Sequence, residues 1–398
     1  MKIAIIGAGG MRTPLLLNGI LQSDLPVHQV DLYDPDEARL GGLYPVMEAV
    51  ARIAPRAPEL RRRSDSRAAI QGADFVLTSI RVGGMARRAA DEAVALSHGL
   101  LGQETVGPAG FAMAMRTIGP MLEYASQVES LAPDAFLINF SNPVGMVTQA
   151  VASQTAARII GICDTPTELF EDAAAALGVP SQECFFDFVG LNHLGWLREV
   201  YHQARPRMGE LLAHSRRLYR APFFEEERLL ELGMLPTEYV YFYEHPDRAV
   251  AGILKAGRSR GAQLEELNQD LFERIGRGGE PLQVYGRYLS TRNHSYMQSE
   301  TGKSADARGD NPVVGSPLKG EPHCGCQSKV LGAELTGYDK IALSVLRAIH
   351  FNLRTLLPLN VANRGNLTPP PAAPLEGGAS SPRRERAPSS SRPTTLSR

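Results

Sequence analysis

The first 165 residues alternate short apolar runs with longer amphipathic stretches. The intervening segments are long enough for crossover helices, the connection that joins parallel strands. The pattern therefore predicts an α/β fold built on a Rossmann-like, doubly wound parallel sheet. The predicted strands lie at residues 2–7, 29–33, 75–79, 135–139 and 158–162.

The pattern changes near residue 166, where the helical stretches become longer. Such stretches lie at 167–177, 223–232, 264–275 and 338–354. We expect this half to form a second, largely helical α+β domain that closes over the carboxyl ends of the parallel strands, where open α/β sheets bind their ligands.

The chain length of 398 residues also favours two domains, because one hydrophobic core rarely supports so many. The predicted division places the first domain at 1–165 and the second at 166–367. The last segment, 368–398, is rich in Pro, Ser and Arg and has few large apolar side chains. Such a composition cannot offset the entropy of ordering, so we expect a disordered tail.

Composition excludes several classes of partner and location. The formal charge of −1 gives no reason to expect binding to nucleic acid or to an anionic membrane surface. No apolar run approaches the roughly 18 residues that span a bilayer, and the chain starts directly with a strand. Four cysteines are too few for a disulfide framework at this length. We therefore expect a cytoplasmic protein in a reducing compartment.

A glycine-rich turn follows the first predicted strand. Gly7, Gly9 and Gly10, with Met11, lead into an apolar helix, and such turns let the backbone and a helix N-terminus approach a pyrophosphate. Asp34 closes the second strand, where an acidic side chain can bind the ribose hydroxyls of NAD and disfavour the extra phosphate of NADP. The alternative is a glycine-rich turn that binds no nucleotide.

Cys163 and His193 are the candidate metal ligands. Cys163 follows the fifth predicted strand, and His193 lies in a short apolar stretch about thirty residues later. Each alone is better explained as a buried structural side chain. Together, one thiolate and one imidazole would leave open positions on a catalytic metal ion. Cys324 and Cys326 are too closely spaced for a usual zinc finger, so we expect a loop with incidental thiols.

Three further loops carry polar side chains suited to an anionic or hydroxylated ligand. Residues 81–88 place Arg81 and Arg88 among glycines, and a guanidinium binds phosphate or carboxylate in bidentate fashion. The alternative is that these arginines are solvated on the surface. Residues 102–110 lead into a helix, and 139–143 supply two amides at the same sheet edge.

These motifs together resemble glycoside hydrolase family 4 in order and spacing. The resemblance covers roughly residues 1–367 and is carried by the glycine-rich start and by 81–84, 102–105, 139–143, 163–164 and 192–196. The family comprises NAD- and divalent-metal-dependent enzymes, among them 6-phospho-glucosidases. The resemblance therefore implies that the chain is a glycosidase with both cofactors.

The resemblance also implies a mechanism that differs from the usual pair of carboxylates. NAD oxidises C3 of the sugar, a base removes the acidified C2 proton, and elimination expels the aglycone from C1. Water then adds, and the hydride returns to C3. The metal would stabilise the charge that develops on the sugar oxygens. A mixed sulfur, nitrogen and oxygen site favours Mn²⁺, Co²⁺, Ni²⁺ or Fe²⁺ over Mg²⁺.

The resemblance assigns roles to further residues. Tyr239 is the expected base, with Tyr241 as the second choice, and Asp164 is either the general acid or a support for the metal. The expected contacts to the sugar and its phosphate are Arg81, Arg88, Asn142 and Asn192, with Arg258 and Arg260 as a further pair from the second domain.

The expected activity is hydrolysis of a phosphorylated glycoside by a homodimer or homotetramer. A 6-phospho-β-glucoside is the favoured substrate, with a 6-phospho-α-glucoside or another glycoside of the family as the alternative. Two hypotheses of other classes remain: an NAD-dependent hydroxy-acid dehydrogenase and a non-catalytic NAD-binding protein. The presence of Cys163 argues against the dehydrogenase, because that class normally relies on a histidine–aspartate pair and needs no metal thiolate.

Overall fold

The computed structural model describes residues 1–54, 58–213, 223–302 and 337–362. The predictions for Cys324, Cys326 and the tail at 368–398 lie outside the described residues. In the described part of the chain, no helix combines the length and the apolar character needed to cross a bilayer.

The main sheet confirms the predicted α/β class. Its strand order is β11-β6-β5-β4-β1-β2-β3, and all neighbours pair in parallel except the antiparallel β11. The strands of the described residues are β1 Lys2–Ile6, β2 Gln29–Tyr33, β3 Glu59–Arg63, β4 Phe75–Thr78, β5 Phe136–Asn139, β6 Arg158–Ile162, β7 Cys184–Leu191, β8 Leu194–His202, β9 Arg205–Pro206, β10 Leu235–Pro236 and β11 Leu359–Asn360.

The helices flank this sheet and build most of the second half. They are α1 Thr13–Gln22, α2 Glu37–Arg52, α3 Ser66–Ile70, α4 Gly84–Ser97, α5 Gly107–Leu131, α6 Val144–Gln154, α7 Thr165–Ala176, α8 Met208–Ala213, α9 Glu226–Leu232, α10 Tyr241–Glu244, α11 Pro246–Ala256, α12 Arg260–Gly276, α13 Pro281–His294, α14 Gln298–Thr301 and α15 Gly337–His350.

A second sheet is antiparallel and belongs to the half after α7. Its order is β10-β8-β7, with β9 paired to β8. Its inner face and α7 to α11 enclose a separate apolar core that includes Leu197, Val200 and Phe242. A smaller sheet with surrounding helices agrees with the predicted α+β second unit.

The late helices pack on the first half of the chain. Helices α12, α13 and α15 share one apolar core with α1 and α2. Tyr285 of α13 is fully buried, and its hydroxyl donates to the Met11 carbonyl at 2.7 Å. Helix α13, which follows the second sheet in the sequence, therefore contacts the glycine-rich turn of the first half. The division at residues 165 and 166 stays a prediction.

Candidate active site

The two predicted metal ligands lie side by side. Cys163 directly follows β6 at the carboxyl edge of the main sheet, and His193 lies in the turn between β7 and β8. The Cys163 Sγ to His193 Nε2 distance is 3.4 Å, and both side chains are buried. His193 adopts a φ of 61°, a left-handed conformation in which histidine is enriched. The hairpin turn therefore delivers the imidazole to the end of a parallel strand.

The donor set of this pair fits a transition-metal ion. Burial raises the pKa of the Cys163 thiol to about 12 and lowers the pKa of His193 to about 4. A divalent cation beside the thiol would supply the positive charge that favours the thiolate. A thiolate and a neutral imidazole suit Mn²⁺ to Ni²⁺ better than Mg²⁺. Among the described residues, no group of three or more His, Cys, Asp or Glu side chains is placed to hold a metal.

Two further elements reach the imidazole. Thr105, in the loop before α5, places its Oγ1 2.8 Å from His193 Nδ1. The ring of Tyr239 stacks on the imidazole, with centroids 3.7 Å apart and planes 10° from parallel. The sequence predicted that Tyr239 would be here, whereas it gave Thr105 no role. Both ring nitrogens and one face of the imidazole are therefore engaged.

The aromatic run at 239–243 contains three tyrosines with three different environments. The run forms a short 3-10 turn and then α10, so successive side chains point in different directions. Tyr239 faces His193. The Tyr241 hydroxyl donates to the Glu300 carbonyl at 3.3 Å, and Tyr243 is exposed. Only Tyr239 of the three contacts the metal-ligand pair, which favours it over Tyr241 as the base.

Glu104 joins three of the predicted substrate contacts into one partly buried cluster. Its Oε2 lies 2.5 Å from Arg81 Nη1 and 2.6 Å from Arg88 Nη1, and its Oε1 accepts from Asn142 Nδ2 at 2.7 Å. Burial opposes ionisation of Glu104, but the two arginines outweigh it and hold its pKa well below the usual range. The sequence analysis placed Arg81 and Arg88 in one loop and Asn142 in another, and it assigned no role to Glu104.

Glu92 links the same cluster to the second half of the chain. This fully buried carboxylate accepts from Arg88 Nε at 2.7 Å and from the backbone N–H of Gly261, at the start of α12, at 2.7 Å. A Cβ on Gly261 would lie 2.7 Å from the carboxylate, so a side chain there would displace it. Glu92 therefore holds Arg88 and the neighbouring Arg260 in a fixed relation.

Several arginines, of which Arg88 and Arg260 are buried, repel one another near this junction. Burial, followed by the charge of Arg292 and a smaller contribution from Arg88, lowers the pKa of Arg260 to about 10. Burial and the charge of Arg12 lower the pKa of Arg292. Burial is the larger cause in both cases, and the neighbouring like charges add positive potential that a bound anion would relieve. The sequence had not predicted Arg12 or Arg292 as part of such a cluster.

Asp164 is bound by Arg12 rather than left free. Arg12 Nη1 lies 3.2 Å from Asp164 Oδ2, and its guanidinium also lies 4.5 Å from the ring centre of Tyr338. Burial opposes ionisation of Asp164, but Arg12 outweighs it and lowers the carboxyl pKa. This geometry favours the second of the two expected roles, support of the metal, over that of a protonated acid. Arg12 follows the glycine-rich turn and lies directly before α1.

The glycine-rich turn has the close packing that a nucleotide site requires. Gly7 has a φ of 85°, and a Cβ there would lie 2.5 Å from the Ser79 carbonyl oxygen. The backbone N–H of Gly9 donates to Asp34 Oδ2 at 2.8 Å, so the turn and the carboxylate at the end of β2 are joined. A Cβ on Gly10 would lie 3.1 Å from the Gly7 carbonyl oxygen. This arrangement fits the predicted dinucleotide site.

The remaining predicted residues differ in how closely they approach the pair. Asn192 directly precedes His193 in the turn between β7 and β8, and it opposes the rise in the Cys163 pKa that burial causes. Arg258 is largely exposed, and its Nη1 lies 2.5 Å from Glu266 Oε2. Arg260 is buried, and its guanidinium donates to the Arg292 carbonyl at 2.8 Å. A substrate role for Arg258 stays a prediction, and the structure gives Arg260 the more enclosed position.

Replacing Glu104 by glutamine is expected to destabilise the protein by about 3 kcal/mol at neutral pH, because Arg81 and Arg88 then lose the partly buried carboxylate that they share. The pKa of Glu104 is lower in the folded than in the unfolded state. Its contribution to the free energy of unfolding is therefore present above the unfolded pKa of about 4.3 and is lost as the pH falls below that value. Urea unfolding of the wild type and Glu104→Gln should be measured between pH 7 and pH 3. The difference in free energy of unfolding between them should become smaller only towards the acid end of this range.

Glu266→Gln is the matched control, since Glu266 also binds an arginine but does so at the surface. It should leave the free energy of unfolding unchanged. A pH-independent difference between wild type and Glu104→Gln would contradict the assignment of Glu104 as an ionised partner of the two arginines.

The chain matches known proteins over nearly its whole length. The family described as "Family 4 glycosyl hydrolase" matches residues 2–179, and "Family 4 glycosyl hydrolase C-terminal domain" matches residues 188–371. The 6-phospho-beta-glucosidase of Escherichia coli K12 is 32% identical over 292 residues, which are 69% of this chain and 65% of that enzyme. The chain therefore spans slightly less than two thirds of the length of this relative.

Two solved structures of 6-phospho-alpha-glucosidases from gut microorganisms share the fold. One, in complex with NAD and glucose-6-phosphate, has a TM-score of 0.65 and 29% identity, covering 72% of this chain and 71% of that one. The other, in complex with NAD and Mn²⁺, has a TM-score of 0.69 and 21% identity, covering 92% of this chain and 79% of that one. With both domain models matched in order, the chain belongs to family 4 of the glycosyl hydrolases.

Proposed function

We propose that this chain hydrolyses 6-phospho-glucosides with the help of NAD and a divalent transition-metal ion. One observation carries the proposal: Cys163 and His193 converge to 3.4 Å, with Tyr239 stacked on the imidazole. This constellation lies at the carboxyl edge of the sheet, beside the glycine-rich turn. Family membership and the relatives' complexes with NAD and glucose-6-phosphate support the same reaction.

The two cofactors would occupy adjacent parts of this edge. The pyrophosphate of NAD would be held by Gly7, Gly9, Gly10 and Met11, and its adenosine ribose by Asp34. The metal ion would be held by Cys163 and His193, and Mn²⁺ is the ion that we propose first. When bound, NAD supplies reversible oxidation at C3 of the sugar and the metal supplies a Lewis acid for the neighbouring oxygens. The protein's own side chains then perform the proton transfers and the positioning.

Tyr239 is the group we assign to the C2 proton. Its ring is fixed against His193, so its hydroxyl is held near the metal-ligand pair rather than free to rotate through solvent. A base must reach the proton it removes before its pKa matters. The neighbouring Phe242 packs against Tyr239, with ring centroids 5.8 Å apart, and limits its movement on a further side.

The arginine cluster is the part of the site suited to the sugar phosphate. Arg88 and Arg260 are joined through Glu92 and Gly261, and Arg292 adds a further, partly buried positive charge. A phosphate dianion would meet several guanidinium groups and relieve their repulsion. Asn142 and Asn192 lie on the two sides of Cys163 in the sequence and would contact sugar hydroxyls.

The β-configured substrate remains our preference, with the α-configured glycoside as the alternative. Relatives of both types match the chain at similar identity, so the preference has to be measured. Homodimers or homotetramers and a cytoplasmic location complete the proposal. Light scattering on the purified full chain would measure the mass of the assembly.

The test is a panel of nitrophenyl α- and β-glucosides, with and without the 6-phosphate. The full chain is assayed with and without NAD and Mn²⁺, in the presence of a reductant to protect Cys163. We expect cleavage of phosphorylated substrates only, dependent on both cofactors, with no net formation of NADH. Stoichiometric NADH from a hydroxy acid would establish a dehydrogenase instead, and NAD binding without cleavage of any substrate would establish a non-catalytic protein.

A further inference from the structure

We propose that Gln103 and Thr105 fix which nitrogen of His193 carries the proton. In this assignment Nδ1 is protonated and Nε2 presents its lone pair towards Cys163. Gln103 and Thr105 are therefore positioning residues for the metal ligand. The inference rests on the proposed metal site for its functional consequence, but the position of the proton follows from hydrogen-bond geometry alone.

The orientation of the Gln103 amide is the first step. The backbone N–H of Thr105 donates to Gln103 Oε1 at 2.6 Å. A backbone N–H can only donate, so the side-chain atom facing it must be the oxygen and not the amide nitrogen. Gln103 is buried, which leaves its amide no solvent partner on that side. The amide oxygen is thereby assigned without reference to His193.

The hydroxyl of Thr105 is the second step. Its Oγ1 lies 2.7 Å from the same Gln103 Oε1, which is an acceptor only. A hydroxyl has one proton, and this contact uses it. The Thr105 Oγ1 also lies 2.8 Å from His193 Nδ1. Since the threonine proton is already donated to Gln103, the hydroxyl oxygen must accept from the histidine.

The imidazole is the third step. Nδ1 must carry a proton to donate to Thr105, and a neutral imidazole has only one N–H. Nε2 is then the acceptor, and it faces Cys163 Sγ at 3.4 Å. Without metal the thiol can donate to this lone pair. With a metal bound, the same lone pair would be available as the ligand, as in sites where a second hydrogen bond sets the tautomer of a metal-binding histidine.

The loop that carries Gln103 and Thr105 is held by two close backbone approaches. A Cβ on Gly110 would lie 2.5 Å from the Thr105 carbonyl carbon, and one on Gly102 would lie 2.5 Å from the Glu92 carbonyl oxygen. Real side chains do not approach this closely, so both positions require glycine. The glycines of the 102–110 motif thus fix the hydroxyl that accepts from His193.

The experiment measures the tautomer directly by ¹⁵N NMR of the full chain labelled at histidine. The His193 signals are identified by their loss in His193→Gln, and the spectra are recorded without metal. We expect Nδ1 to be protonated in the wild type and in Thr105→Ser, which keeps the hydroxyl. Thr105→Val removes the acceptor while keeping the shape, and Gln103→Leu frees the threonine proton, so both should shift His193 towards the Nε2–H form.

A second readout is the dissociation constant for Mn²⁺, from the electron paramagnetic resonance signal of the free ion. Thr105→Val and Gln103→Leu should weaken binding by about 10- to 100-fold, and Thr105→Ser should restore it. An Nε2–H tautomer in the wild type, or a Thr105→Val protein with unchanged tautomer and affinity, would overturn the inference. An Nδ1–H tautomer in a protein that binds no Mn²⁺ would uphold the proton assignment and overturn the proposed metal site.

Discussion

Replacing Cys163 by serine is expected to lower kcat/KM for the phosphorylated glucoside by about 10³-fold. The physical reason is that a Lewis-acidic metal ion contributes several kcal/mol to stabilising negative charge, and each 1.4 kcal/mol corresponds to about a tenfold change in rate. A serine hydroxyl keeps the size of the thiol but is a poor ligand for a transition-metal ion at neutral pH. The measurement pairs the kinetic assay with the Mn²⁺ dissociation constant, which should rise with the loss of activity.

Cys184→Ser is the matched control for this substitution. Cys184 is the other free thiol of the described residues; it is half-buried at the start of β7 and donates to the Pro180 carbonyl at 3.5 Å. Its replacement should leave kcat/KM and Mn²⁺ affinity unchanged. A Cys163→Ser protein with full activity and wild-type Mn²⁺ affinity would remove Cys163 from the metal site. Loss of activity with intact Mn²⁺ binding would place Cys163 in the reaction in another role.

Five of the six parallel strands could be predicted because each consists mainly of apolar residues. Four of the five predicted strands begin at the observed residue, and the one predicted at 135–139 begins one residue before β5. Strand β3 was missed because its sequence, Glu-Leu-Arg-Arg-Arg, has no apolar pattern. It lies at the edge of the sheet, where one neighbouring strand supplies the hydrogen bonds and charged side chains reach solvent. Strand β11 was missed because two residues carry no periodicity.

The helix boundaries show the same limit. Helix α9 begins at Glu226 rather than at residue 223, since Phe223 and Phe224 are buried in the second core before the helix starts. Apolar side chains alone do not reveal whether their backbone is helical. Helix α7 begins two residues earlier than predicted, with Pro166 in its first turn, a position that proline favours.

The metal-ligand pair was predicted from Cys163 at the end of a predicted strand together with the other loop motifs. His193 alone lies in a short apolar stretch, and its position in the turn between β7 and β8 was not predicted. The residues that orient the pair were not accessible in this way. Thr105 and His193 are 88 positions apart, and Glu92 and Gly261 are 169 apart. Such contacts depend on how the two halves pack, which local sequence patterns do not encode.

The sequence pattern also did not predict where the late helices α12, α13 and α15 pack. We assigned them to a second domain, yet Tyr285 and Tyr288 of α13 lie in the core shared with α1 and α2. An amphipathic helix reveals which of its faces is apolar but not which partner covers that face. The consequence is functional, because α12 and α13 bring Arg260 and Arg292 to the edge of the parallel sheet.

Replacing Tyr239 by phenylalanine is expected to lower kcat by about 10²- to 10⁴-fold, the usual contribution of a positioned acid or base. Phenylalanine keeps the ring that stacks on His193, so the dissociation constant for Mn²⁺ should stay at its wild-type value. This combination separates loss of the base from loss of the metal. A substrate deuterated at C2 gives the direct measurement, since the wild type should exchange this position with solvent during turnover and Tyr239→Phe should not.

Two other tyrosines of the same segment complete the experiment. Tyr243→Phe changes an exposed side chain and should leave both kcat and exchange unchanged. Tyr241→Phe removes the hydroxyl that donates to the Glu300 carbonyl, so it should lower the free energy of unfolding. Exchange of the C2 hydrogen with solvent should continue in this variant. If Tyr241→Phe abolished exchange while Tyr239→Phe retained it, the base would be Tyr241, and the ring on His193 would serve only to hold the imidazole in place.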